Sequence, residues 1–81
     1  MQITFDPEAD AVYVSLRSLG REEAVDRTVQ LDEARLIDYD AQGEPLGVEF
    51  LWVSNGINLT DVPRADEIRT LLRRLPTLQP A

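Results

Sequence analysis

Cysteine, histidine and lysine are all missing from this chain of 81 residues. Without cysteine no disulfide framework can form, and without histidine or thiolates the usual structural zinc site is excluded. The same absences remove the commonest general base and the thiol nucleophile. Ser15, Ser18 and Ser54 therefore stand without an activating base near them in sequence, and none sits in a nucleophile-elbow motif. With lysine absent, all eight basic residues are arginine, and fifteen acidic residues leave a net charge of −7. Such a field repels phosphate backbones and anionic membranes, because non-specific nucleic-acid affinity comes from cations that displace condensed counterions. A basic protein is the charged partner it favours. The same balance also serves ordinary solubility.

Long apolar runs are missing too. None approaches the roughly 20 residues of a membrane span, and the first residues alternate polar with apolar instead of forming a basic and then an apolar signal region. The sequence predicts a cytoplasmic protein with no membrane segment. Its length predicts one domain over residues 1–75 and a frayed tail over 76–81. A domain of this size buries only about 60% of the surface its unfolded chain exposes. Since disulfides and zinc are excluded, self-association is the remaining common route to stability, and a homodimer or larger assembly is expected.

What is present reads as an α+β fold: a small antiparallel sheet of about five short strands in hairpins, with one C-terminal helix packed on it. Gln2 to Phe5 alternates, Asp6-Pro7-Glu8-Ala9 turns, and Asp10 to Leu16 returns with Val12, Val14 and Leu16 on one face. Gly20 marks a loop. Glu23 to Leu31 forms a third strand in which Arg27 interrupts the row Val25, Val29, Leu31, which allows a bulge or bend there. Asp32-Glu33-Ala34 leads into Arg35 to Tyr39, and Asp40-Ala41-Gln42-Gly43 closes a hairpin onto Pro45 to Val53. In that last strand Leu46, Val48, Phe50 and Trp52 share one face, while Gly47, Glu49, Leu51 and Val53 share the other. Thr60-Asp61 offers N-cap chemistry ahead of Pro63, and Ile68, Leu71, Leu72 and Leu75 make one apolar helix stripe that Pro76 ends. Asp66 and Glu67 lie near the positive helix end, with Arg69, Arg73 and Arg74 towards the negative end.

Three residue groups invite a chemical reading. Asp38-Tyr39-Asp40-Ala41-Gln42-Gly43 with Glu49 nearly reproduces a calcium loop, with Asp38, Asp40 and Glu49 as ligands. Its flanks have strand character, however, and Pro45 falls where that loop needs a backbone N–H. A hairpin turn asks for the same Asp and Gly on conformational grounds. Asp6, Glu8 and Asp10 form a second carboxylate group, suited to a hard cation, to paired acid and base work, or simply to turn chemistry. Hydrolysis by such a pair requires one carboxyl to be desolvated, which nothing in the sequence indicates. Third, Phe50-Leu51-Trp52-Val53 holds the only tryptophan. Trp52 fits a partner-binding anchor or core packing equally well, and the sequence leaves both open.

Two stretches, Phe5 to Val14 with its Asp-Pro-Glu-Ala-Asp turn and Leu36 to Leu51 with Asp38-Tyr39-Asp40 and Gly47-Val48-Glu49, together resemble the small bacterial domain-of-unknown-function family numbered 2283. The resemblance covers roughly residues 1–53. It implies a compact β-hairpin domain from a bacterium, and no activity or catalytic residue to carry over.

The expectation is thus a non-catalytic, homo-oligomeric protein-interaction module of a bacterial cytoplasm, without cofactor, whose interface is Phe50, Leu51, Trp52 and Val53. One variant is an acidic antidote to a basic toxin. The alternatives are a calcium or hard-cation domain using hairpin carboxylates, and a carboxylate-dependent hydrolase.

Overall fold

A computed structural model describes residues 1–17 and 25–74 of the chain. Five strands run as β1 (Gln2–Asp6), β2 (Ala11–Ser15), β3 (Arg27–Asp32), β4 (Arg35–Tyr39) and β5 (Pro45–Leu51), followed by a 3₁₀ turn (Val53–Asn55) and helix α1 (Ala65–Leu72). The strands form one antiparallel sheet in the order β1-β2-β5-β4-β3. β5 therefore lies at the centre, between β2 and β4. Gly20, Ser18, the Glu23 start of the third strand, Leu75, Pro76 and the expected tail lie outside the described residues.

Alternation decides which face is buried. Val12 and Val14 of β2 stand opposite Phe50 and Val48 of β5, and Ile37 of β4 stands opposite Val48. All five are buried, and Ile68 and Leu72 of α1 complete the same cluster with Ile57, Leu59 and Val62 of the preceding loop. The other face carries Tyr13, Ser15, Gly47, Glu49, Leu36 and Asp38 in matching register. A sheet covered on one side and wet on the other is the ordinary antiparallel arrangement.

The turns form as their residues dictate. Asp6 Oδ1 accepts the backbone N–H groups of Glu8 and Ala9 at 3.1 and 3.3 Å. Asp40 Oδ1 accepts those of Gln42 and Glu44 at 2.9 and 2.8 Å, while Gly43 takes the positive φ of 82° that closes the hairpin. The register slips by one between Gln30 and Asp32. That slip brings Asp32 beside Arg35, whose Nε and Nη2 both donate to Asp32 Oδ2, at 2.9 and 2.7 Å. Arg35 Nη1 donates to the carbonyls of Asn58 and Thr60, so a buried guanidinium ties the helix-bearing loop to the sheet.

Three details differ from the sequence expectation. The interruption of β3 at Arg27 is no bulge: Arg27 lies in register opposite Tyr39, with its guanidinium 5.1 Å above the Tyr39 ring. β5 stops at Leu51, before Trp52 and Val53. The helix does not start from a Thr60-Asp61 cap either. Val62 donates to Leu59 O in a turn, Pro63 biases Val62 away from helical geometry, and the N-cap is Arg64 at φ 56° with no capping side chain. Its guanidinium bridges instead to Glu67 and to the carbonyl of Leu16. Asp66 and Glu67 do occupy the first turn and Arg69 the last.

Candidate functional site

Asp38, Asp40 and Glu49 do not converge. Both Asp38 oxygens are engaged on the open face, Oδ1 accepting from Thr28 Oγ1 at 2.6 Å and Oδ2 from the Tyr13 hydroxyl at 2.9 Å. Asp40 is buried in the hairpin turn, where its Oδ2 accepts from Arg17 Nη2 at 2.5 Å and Oδ1 holds the two turn amides. Its carboxyl is held below the ordinary carboxylate range, first by the Glu44 N–H and then by Arg17 and the Gln42 N–H. Glu49 lies on the open face opposite Tyr13.

The second carboxylate group is dispersed in the same way. Asp6 staples its own turn, while Asp10, at φ 52°, accepts from Ser54 N at 3.0 Å and from Ser54 Oγ at 2.6 Å. Among the described residues no three His, Cys, Asp or Glu side chains are grouped to hold a metal ion. Asp6, Asp10, Asp38 and Asp40 each fix a turn or a strand pair, and this is structural work.

Tyr13 is the residue that sequence reasoning missed. Its ring crosses Gly47, so that a Cβ at position 47 would come within 2.0 Å of the hydroxyl oxygen. Burial, the hydrogen bond to Asp38 and the charges of Asp38 and Glu49 push its phenol up to about 12. A network Tyr13–Asp38–Thr28 thus spans β2, β4 and β3 over the bare backbone of β5. The signal for it was that Tyr13, Asp38 and Gly47 each alternate with core residues of their own strand, which only the strand order could turn into a contact.

The expected interface run is split. Phe50 is 2% exposed in the core and Val53, turned inward by the 3₁₀ helix, is 8% exposed. Neither is available to a partner. Leu51 is half-buried, and Trp52 stands 52% exposed. What ejects Trp52 from the core face is its backbone, at φ 52° and ψ 45° in the left-handed region. The core alternative for Trp52 is thereby removed. Among the described residues, Phe5 on β1, Val29 on β3 and Val25 just before it are the other large apolar side chains beyond Met1 left exposed.

A family model described as a protein of unknown function (DUF2283) matches residues 2–54. The chain belongs to that family. The DUF2283 match covers the sheet with its three hairpins and all but the last residue of the 3₁₀ turn, and it ends before the loop and helix that roof the core. Ile57, Leu59, Val62, Ile68 and Leu72, all beyond the match, are buried in the cluster with the sheet. Comparison with curated proteins found no match, and comparison with solved structures found none either. Among the described residues no helix is long and apolar enough to cross a membrane.

Proposed function

We propose that this DUF2283 chain is a non-catalytic protein-interaction module that works as a homo-oligomer in a bacterial cytoplasm. The observation that carries the reading is where the surplus apolar surface lies. Phe5 and Val29 stand exposed on β1 and β3, the two outer strands, each of which pairs on one side only among the described residues. Trp52 adds to it. A left-handed backbone costs a non-glycine residue about 1–2 kcal/mol, and a half-exposed ring recovers little of that by packing. Contact with another protein surface gives such a residue a purpose that folding does not.

The state of the carboxylates supports the non-catalytic part. Asp10, Asp38 and Asp40 spend both oxygens on backbone and side-chain donors, and Asp6 spends Oδ1 on its own turn, so none is poised as a desolvated acid beside a free base. The test is the solution mass measured over a wide range of concentration. A dimer or larger species is expected, and a monomer throughout would contradict the reading.

A further inference from the structure

We infer that β3 is the edge through which the chain self-associates: two copies pair their β3 strands antiparallel about a twofold axis at Thr28, joining two five-stranded sheets into one. This rests on the self-association reading above and names its surface and its register. Edge strands present unpaired N–H and C=O groups, and proteins that stay monomeric blunt them with proline, lysine, inward charges or a covering element. Among the described residues β3 shows none of these devices over Arg27–Gln30. It contains no proline, glycine or lysine. Its one cation, Arg27, is folded over Tyr39 rather than set outward. The register slip lies beyond Gln30. Five of its six residues are exposed, and just before it Val25 is exposed as well.

The other surfaces suit a second copy less well. At the β1 edge, Met1, Gln2 and Ile3 share a cleft with Leu71 and Arg74 at the end of the helix, so that edge is less bare than β3. Pro7 follows that strand at once. Packing of two open faces would bring Asp38 and Glu49 of each copy against those of the other, with no arginine among the open-face strand positions to offset them.

Symmetry then restricts the register. An antiparallel pair about a twofold axis normal to the sheet keeps each face continuous, so the numbers of opposite residues sum to an even value. With Val29 on the axis, the pairing would run through Leu31 and Asp32, where the slip after Gln30 breaks the alternation. With Thr28 on the axis, Thr28 meets Thr28, Asp26 meets Gln30 and Arg27 meets Val29, all before the slip. The Thr28 register thus keeps its pairs in regular strand and sets Val29 of each copy against the aliphatic stem of the other's Arg27, with Val25 beside the core-packed Leu31. Val29 and Val25, 41% and 45% exposed in the single chain, are then covered.

The lack of cysteine makes the test clean. Thr28→Cys, Phe5→Cys and Trp52→Cys would each be oxidised at a concentration where the unmodified chain is oligomeric, and run without reductant. Thr28→Cys is expected to give a covalent dimer and the other two none. A cross-link at Phe5→Cys or Trp52→Cys in its place would overturn the assignment. Because Thr28→Cys also loses a hydrogen bond to Asp38, Val29→Lys serves as a second variant that leaves Thr28 intact. It is expected to halve the solution mass, and an unchanged mass would likewise overturn the proposal. An unmodified chain that is monomeric at every concentration would overturn the self-association reading itself.

Discussion

The ring of Tyr13 lies over Gly47, close enough that a methyl group at position 47 would sit 2.0 Å from the Tyr13 oxygen and 2.4 Å from the ring carbon bearing it. One residue is therefore small because another, on the neighbouring strand, is large. The hydroxyl that the ring carries across the gap reaches Asp38 on the strand beyond. Gly47→Ala should force the ring away and break that bond, at a cost of about 2–3 kcal/mol in an equilibrium urea melt. In a Tyr13→Ala background the same change should be neutral or stabilising, since alanine suits a strand better than glycine does. Additive effects of the two substitutions would mean that the contact carries no energy.

Alkaline stability should follow Tyr13. Its phenol titrates near 12 in the folded chain against an ordinary value near 10, so between these values the unfolded chain loses a proton that the folded chain keeps. The contribution is complete below pH 10 and is lost as pH rises through 12. Tyr13→Phe should flatten that part of the stability curve, and an ultraviolet titration should show one phenol ionising late. At the acid end the sign reverses. Asp40 is depressed by the Glu44 N–H and by Arg17, so its contribution is present above the ordinary carboxylate range and is lost as pH falls through its lower folded value. Asp40→Asn should weaken the acid dependence while keeping an oxygen for the turn amides.

Strain at Trp52 can be isolated by comparing two substitutions. Trp52→Ala and Trp52→Gly both remove the exposed ring, but only glycine relieves the left-handed backbone at φ 52°. The glycine variant should be the more stable of the two by about 1 kcal/mol in urea melts. Equal stabilities would show that position 52 adopts another conformation.

Much of this was legible in the sequence, for identifiable reasons. β4 was readable to the residue, because Arg35 to Tyr39 is bounded by Asp32-Glu33-Ala34 on one side and Asp40 to Gly43 on the other. The core face of β5 followed from strict alternation of Leu46, Val48 and Phe50. Trp52 defeated the same rule, since alternation assumes that the strand continues and nothing local to Trp52 announces a left-handed residue. The N-cap was misplaced for a related reason: Thr60 and Asp61 are good capping residues, yet Pro63 and the inward demand of Val62 postponed the helix to Ala65. As for the site, the carboxylates could be named from the sequence but their partners could not. Asp10 meets Ser54, and Asp38 meets Tyr13 and Thr28, across sequence distances that only the strand order closes.

Self-association is the claim on which the functional reading depends, and light scattering of the unmodified chain across a broad concentration series tests it most directly. The expected result is a mass at least about twice the 9.1 kDa of one chain, falling towards that of one chain in Val29→Lys. A mass of 9.1 kDa at every concentration would contradict it.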